Sequence, residues 1–258
     1  MEITSTTQLD NGIIERRFTV AGAGGRPVPG VLWTRADASG GPSSSGRTPL
    51  ILIGHGGSGA KDAAGNLDTR DEFTGQFGIA TAAIDGPVHG DRGGVTNSDD
   101  PRYAAMWRDP NNIDDMNTDW ARTLDALLAL GEFDAAAVGY LGLSMGTMFG
   151  LPYVASEPRI AAAVLGKCGV RGTSVDRSGI AARLTADAPR LSCPVLYHVQ
   201  WDDERFERES AFELYGLIGS ADKRLQSIPG PHGGSTPEAT ETMRVFLAGR
   251  LLAVPASA

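Results

Sequence analysis

The sequence lacks the features that mark several classes of protein. Only 2 of its 258 residues are cysteine, which is too few for a disulfide framework. No apolar run is long enough to cross a membrane, so no membrane span is expected. Lysine and arginine form no cluster and the net charge is −8, which argues against nucleic acid as the main partner. The first residues also lack the basic and apolar segments of a secretory signal, so a cytoplasmic location is expected.

The sequence also gives little support for a metal site or a nucleotide site. Cys168 and Cys193 fall in or beside predicted strands and are interpreted as buried thiols, with a disulfide between them left open. No two histidines have ligand-like spacing on one element, so no metal is predicted. The run GHGGSGAK at 54–61 resembles a phosphate-binding loop, but the spacing of its lysine is wrong and an aspartate follows it. A nucleotide-binding protein stays only as an alternative, and no cofactor is predicted.

Strands and helices alternate from residue 49 onward, which indicates a mostly parallel sheet with helices on both faces. The continuous apolar run at 50–53 is typical of a central strand covered on both sides. Apolar residues at helical spacing predict a helix over 113–130, with Asn112 as its N-cap. Further strands are predicted at 79–84, 160–165, 194–199 and 223–228, and further helices at 207–218 and the C-terminal end. Residues 176–188 are predicted to be a helix or a lid-like segment.

The N-terminal part has a different pattern. Residues 13–20 and 27–34 predict the two strands of a hairpin, and the Gly-, Ser- and Pro-rich stretch at 35–48 predicts an exposed, mobile loop. We expect one α/β domain over 1–258, in which residues 1–48 carry these strands and this loop, and 49–258 form the core of a sheet with about eight strands. A further stretch, 93–112, is interpreted as a loop that borders a site and is too short for a cap domain.

The stretch 138–156 carries the clearest chemical signal. A short run with β character meets GLSMG at 142–146, and a segment that can be helical follows. G-x-S-x-G between a strand and a helix is typical of a nucleophile elbow, in which a sharp turn lifts the serine hydroxyl above the sheet edge. The flanking glycines are expected because side chains there would collide across the turn or with neighbouring elements. Ser144 is therefore the candidate nucleophile.

Asp203 and His232 follow later strands, so that the chain order is Ser…Asp…His. A serine hydroxyl is a weak nucleophile and needs a base near pH 7, which a histidine supplies. A carboxylate holds the imidazole in the right tautomer and stabilises its transient charge. The oxyanion donors are assigned to the backbone N–H groups of Met145 and Gly57, with Gly56 as the alternative to Gly57.

This constellation resembles the α/β-hydrolase superfamily, in particular its small serine esterases of the dienelactone-hydrolase-like type. The resemblance covers nearly the whole chain from Leu50 to Leu252. The segments that carry it are GHGG at 54–57, DGPVHG at 85–90, GLSMG at 142–146, PVLYHVQWDDERF at 194–206 and PGPHGG at 229–234. It implies an α/β-hydrolase fold with a minimal cap domain or none.

The resemblance also bears on single residues. It implies that His89 anchors a loop, and that Asp203 is the triad acid with Asp202 as the alternative. Dienelactone hydrolases proper use a cysteine where this chain has Ser144, and the glycine that usually follows the penultimate strand is Gln200 here.

The sequence thus predicts a serine hydrolase that cleaves small-molecule carboxylic esters through a covalent acyl-enzyme. His55, Trp107 and Trp201 are candidates for the substrate pocket, whereas His198 is interpreted as a packed core histidine. Amide, peptide, lactone or C–C bond hydrolysis and acyl transfer use the same machinery and stay open. A non-catalytic binding protein on this scaffold is disfavoured because all three triad residues are present, and a homodimer is left open.

Overall fold

The structure is a computed structural model that describes residues 1–36 and 47–253. Within these residues nine strands form one sheet in the order β1-β2-β3-β5-β4-β6-β7-β8-β9. The strands are β1 (Glu2–Gln8), β2 (Ile13–Ala21), β3 (Pro27–Arg35), β4 (Thr48–Gly54), β5 (Ala80–Ile84), β6 (Phe133–Leu143), β7 (Ile160–Gly166), β8 (Val195–Gln200) and β9 (Lys223–Ile228). The helices are α1 (Ala64–Arg70), α2 (Pro101–Trp107), α3 (Asn112–Leu128), α4 (Met145–Ser156), α5 (Thr173–Ser178), α6 (Ala181–Asp187), α7 (Arg208–Leu217) and α8 (Pro237–Leu251).

The six strands from β4 to β9 run parallel, and the first three strands join them antiparallel through the β3–β5 pair. The side chains at 50–53 on β4 are almost completely buried, because helices cover both faces of the sheet. One core cluster packs α3 and α4 against the first face and includes Trp120 and Tyr140. A second cluster packs α8 against the opposite face and includes Phe246 and Leu247. The predicted fold class is confirmed.

The N-terminal hairpin is formed by β2 and β3, which a short 3-10 turn at Ala23–Gly25 connects. β1 was not predicted from the sequence. All seven of its residues are exposed, and it is held by its pairing with β2. A strand with no buried face carries no apolar alternation, so the signal that usually reveals a strand is missing. Of the predicted mobile loop at 35–48, residues 37–46 lie outside the described residues.

Several predicted element boundaries need correction. The stretch 93–112 was predicted to be a loop, but it contains α2, which begins at Pro101. Asp100 is the N-cap of this helix, and its side chain accepts a hydrogen bond from the Arg102 N–H. These are ordinary helix-start signals that the surrounding turn residues obscured. Asn112 is the first residue of α3 and not its cap. The helix predicted at 176–188 is two short helices, α5 and α6.

The parallel strands bring their carboxyl ends to one edge of the sheet. Loops that follow β4, β6, β7, β8 and β9 therefore lie side by side there, although they are far apart in the chain. No helix of the described residues is long and apolar enough to span a membrane.

Candidate active site

Ser144 lies in a sharp turn between β6 and α4. Its backbone has φ 58° and ψ −121°, a region that non-glycine residues rarely occupy. The Ser144 N–H donates a hydrogen bond at 3.0 Å to the carbonyl of Gly166, the last residue of β7, which ties the turn to this neighbouring strand. A methyl group on Gly142 would lie 2.6 Å from the Gly146 oxygen, and one on Gly146 would lie 2.4 Å from the Gly54 oxygen. The two glycines of G-x-S-x-G are thus required by close backbone contacts.

A continuous line of hydrogen bonds joins Ser144, His232 and Asp203. The distance is 2.9 Å between Ser144 Oγ and His232 Nε2, and 2.8 Å between His232 Nδ1 and Asp203 Oδ2. A carboxylate only accepts hydrogen bonds, so the Nδ1–H donates to Asp203 and Nε2 keeps its lone pair. Nε2 can then accept the proton of the Ser144 hydroxyl, which is the arrangement that general-base activation needs.

The Asp203 carboxylate is fixed from two sides. Its side chain is 4 % exposed, and its Oδ1 accepts hydrogen bonds from the N–H groups of Arg205 at 2.9 Å and Phe206 at 3.1 Å. Burial alone would raise the pKa of Asp203, but the hydrogen bond from His232 and these two N–H groups outweigh it and lower the pKa below its usual value. The group is therefore ionised near neutral pH, as an acceptor for the imidazole must be.

The neighbouring Asp202 points elsewhere. Its Oδ2 accepts a hydrogen bond from the Gly230 N–H at 3.0 Å, and its own N–H donates to the Gly230 carbonyl at 3.1 Å. Asp202 is exposed and has no hydrogen bond to His232 within the described part of the chain. The two adjacent aspartates therefore have different partners. Asp203 contacts the His232 ring, and Asp202 contacts the backbone of the loop that carries His232.

A cavity of about 480 Å³ opens above Ser144. Both Gly56 and Gly57, two of the predicted oxyanion residues, line it together with Ser144 and His232. Neither glycine N–H donates a hydrogen bond to another group of the described residues. Met145 begins α4 immediately after Ser144, where a helix leaves its first N–H groups without internal partners. These donors are available to a negatively charged oxygen at the serine.

Gly57 is confined by its surroundings. The Nε2 atom of His89 lies 3.1 Å from the Gly57 carbonyl oxygen, and a methyl group on Gly57 would lie 2.8 Å from the Tyr103 hydroxyl oxygen. Gly56, by contrast, has no atom within 4 Å of the position of a methyl group. His89 is fully buried and its Nδ1 lies 2.7 Å from the Pro87 oxygen, as expected of a residue that anchors the loop.

None of the three predicted pocket residues lines the cavity. His55 is buried, with Nδ1 donating to the Gly56 carbonyl at 2.8 Å and Nε2 accepting from the Gly86 N–H at 2.8 Å. Burial lowers the pKa of His55 to about 4, so the ring is neutral and its role here is to support the loop.

The two tryptophans that were candidates for the pocket lie elsewhere in the structure. Trp107 belongs to the core, where its ring stacks on Phe149 with 4.8 Å between centroids. Trp201 is 47 % exposed and lies against Arg208, whose guanidinium carbon is 4.3 Å from its ring centroid. Position in the sequence did not predict the direction of either side chain.

Charged residues that sequence reasoning did not select line the same cavity: Lys167, Glu204 and Arg205. Glu204 and Arg205 directly follow Asp203, so their proximity could have been expected from the chain. Lys167 follows β7 and has a positive φ of 46°, which only the folded structure reveals.

Other titratable residues have structural roles. Lys61 of the phosphate-loop-like run is buried, and its Nζ lies 2.7 Å from Asp85 and 2.8 Å from Asp91, which leaves it no access to a phosphate. Cys168 and Cys193 are free thiols, and burial raises the pKa of Cys193 to about 11. In residues 1–36 and 47–253, no group of three or more His, Cys, Asp or Glu side chains is arranged to hold a metal ion.

No protein-family model and no curated protein sequence matches the chain. Solved structures do match. A cold-adapted esterase from an Arctic intertidal metagenomic library, in a complex with polyethylene glycol, is 35% identical, with a TM-score of 0.82 over 97% of this chain and 100% of that one. Acetyl xylan esterase from Paenibacillus sp. R4 is 19% identical, with a TM-score of 0.75 over 97% of this chain and 90% of that one.

Acetyl xylan esterase 1 from Thermoanaerobacterium sp. JW/SL YS485 is 18% identical, with a TM-score of 0.72 over 96% of this chain and 88% of that one. The identities of the two xylan esterases are low enough that they support the fold alone. The Arctic esterase matches in sequence as well, over nearly the full length of both chains.

Proposed function

This chain belongs to the α/β-hydrolase superfamily, among its small dienelactone-hydrolase-like esterases, and we propose that it is a serine hydrolase of carboxylic esters. The observation that carries the proposal is the hydrogen-bonded line from Ser144 Oγ to His232 Nε2 at 2.9 Å and from His232 Nδ1 to Asp203 at 2.8 Å. Nucleophile, base and orienting carboxylate are all within hydrogen-bond reach, and this geometry is what acyl transfer to a serine requires.

In the proposed first half of the reaction, His232 Nε2 takes the hydroxyl proton while Ser144 Oγ attacks the ester carbonyl carbon. The carbonyl oxygen becomes an oxyanion, which the N–H groups of Met145 and Gly57 are suited to bind. Collapse of the tetrahedral intermediate breaks the ester C–O bond, and the leaving alcohol takes the proton from Nε2. The acyl group stays on Ser144.

In the second half, water enters the open cavity and gives a proton to His232 Nε2 as it attacks the acyl carbonyl. The acid leaves and Ser144 recovers its proton. Asp203 stays ionised throughout and stabilises the imidazolium that forms in each half. A cavity of about 480 Å³ suits esters of small or medium size.

The proposal is tested by hydrolysis of p-nitrophenyl esters with chains of two to eight carbons, together with covalent labelling by a fluorophosphonate. Ser144→Ala should lower kcat by about four orders of magnitude or more, because the nucleophile is lost. The label should be found on Ser144 by mass spectrometry.

Ser58→Ala is the matched control, since Ser58 lines the same cavity and His232 Nε2 is hydrogen-bonded to Ser144. This variant should keep its turnover and its labelling. Turnover close to that of the wild type in Ser144→Ala, or a label on Ser58 in the wild type, would exclude the proposed mechanism.

A further inference from the structure

The loop at 229–234, here called the histidine loop, carries His232 and is built almost entirely of glycine and proline. Glycine gives a chain wide conformational freedom, so a catalytic side chain on such a loop needs external restraint. Two contacts restrain the loop from the exposed side: the Gly230 N–H donates to Asp202, and the His232 N–H donates to Glu204 Oε2 at 2.9 Å. Both carboxylates are well exposed to solvent.

The opposite side of the loop is held by Gln200, the last residue of β8. Its side chain is buried, and its Nε2 donates to the Pro231 carbonyl at 2.9 Å, directly before His232. A carbonyl only accepts, so the amide nitrogen faces Pro231 and the amide oxygen faces His198, whose Nε2 lies 2.7 Å away. Burial lowers the pKa of His198 to about 4, so this ring is neutral, donates from Nε2 and fixes the orientation of the amide.

The second holding point is Lys167, which follows β7. Its Nζ donates to the Gly234 carbonyl at 2.6 Å, two residues after His232. Its backbone has a positive φ of 46°, and its N–H donates to the His198 carbonyl at 2.8 Å, so that the strained backbone is held against β8. Burial lowers the pKa of Lys167 and the charge of Asp203 acts against this, but no carboxylate of the described residues forms an ion pair with its Nζ.

The other two lysines have different surroundings. Lys61 is paired with Asp85 and Asp91. Lys223 lies at the start of β9, whereas the catalytic site lies at the carboxyl ends of the strands, on the opposite side of the sheet. Its Nζ donates to the carbonyls of Tyr215 and Ile218 at 3.1 and 2.8 Å. Lys167 is thus a cation in the catalytic cavity, and within residues 1–36 and 47–253 the one hydrogen bond of its ammonium group goes to the backbone of the histidine loop.

We propose that Lys167 and Gln200 are positioning residues that latch the histidine loop at Gly234 and Pro231 and keep His232 Nε2 within reach of Ser144 Oγ. The inference rests on the proposed function. The latch holds one carbonyl on each side of the histidine, from strand ends that the parallel sheet makes rigid.

A latch of this kind affects the chemical step more than substrate binding, because neither of its hydrogen bonds involves the substrate. Lys167→Met removes the donor and keeps the length of the side chain. We expect kcat per active site to fall about tenfold while KM changes less than about twofold. Active sites are counted by fluorophosphonate labelling, so a fraction of misfolded protein does not imitate the effect. Lys167→Arg, which keeps a donor, should recover part of the loss.

Lys223→Met is the matched control, since it removes an ammonium that also donates to backbone carbonyls but lies far from Ser144. Its kcat should stay within about twofold of the wild type. Gln200→Met tests the contact with the Pro231 carbonyl and should also lower kcat per active site about tenfold. A wild-type kcat per active site in both Lys167→Met and Gln200→Met, or a loss that lies entirely in KM, would overturn the latch. Failure of the proposed function would look different: the wild type itself would neither hydrolyse esters nor be labelled at Ser144.

Discussion

Replacement of Asp203 by asparagine tests the assignment of the acid with almost no change in size. The Oδ1 position of Asp203 accepts from two backbone N–H groups, so the amide oxygen of an asparagine takes that position and its NH₂ group faces His232 Nδ1. The NH₂ group donates, which forces Nδ1 to be the acceptor and moves the ring proton to Nε2. Nε2 then points a proton at Ser144 and no longer accepts one. We expect kcat to fall about 10⁴-fold, which corresponds to about 5 kcal/mol of transition-state stabilisation.

Asp202→Asn is the paired control. Asp202 accepts from the Gly230 N–H at 3.0 Å, and an asparagine keeps an oxygen for that contact, so kcat should stay within about threefold of the wild type. The assay is p-nitrophenyl acetate hydrolysis at pH 7.5 with active sites counted by labelling, and thermal melts verify that both variants fold. A kcat of Asp203→Asn within tenfold of the wild-type value, or an equal loss of kcat in Asp202→Asn, would refute this reasoning.

Two further predictions concern the oxyanion loop and acid stability. Gly57→Ala should lower kcat/KM about tenfold, because its methyl would lie 2.8 Å from the Tyr103 hydroxyl, whereas Gly56→Ala should change little; equal effects of the two would contradict Gly57 as the constrained donor. His55 and His198 have a pKa of about 4 against an ordinary value of 6.5, so the unfolded chain binds more protons between these pH values. Stability that is complete above pH 6.5 should therefore fall by about 2–3 kcal/mol for each ring on going to pH 4.5. Equal urea midpoints at pH 7.0 and 4.5 would exclude this.

The elbow illustrates what local sequence can predict. Gly142, Ser144 and Gly146 lie within five residues, and the contact that requires Gly142 lies within the turn that joins β6 to α4, whereas Gly146 is required by the Gly54 carbonyl of the neighbouring strand β4. The alternation of apolar runs and helical periods likewise predicts the parallel core, because a strand that is buried on both faces consists of a continuous apolar run. β1 has no buried face and therefore contains no apolar run that would have predicted it.

Side-chain direction was less predictable than position in the chain. Trp107 was a pocket candidate in the stretch 93–112, which was interpreted as a loop that borders the site, but the helix α2 turns it into the core against Phe149. Asp202 and Asp203 are chemically the same, and local pattern could only rank them through the family resemblance. The turn after β8 sends one carboxylate to His232 Nδ1 and the other to the Gly230 N–H.

By itself, the sequence determined the parallel α/β core, the elbow at Ser144 and the chain order in which its partners follow. Those features depend on steric and hydrophobic requirements that act over a few neighbouring residues. The tertiary structure decided which atoms meet: Ser144 Oγ with His232 Nε2, 88 residues apart, and Lys167 Nζ with Gly234, 67 residues apart. Such contacts arise because parallel strands bring their carboxyl ends to one edge of the sheet, and no local pattern encodes which loops become neighbours there.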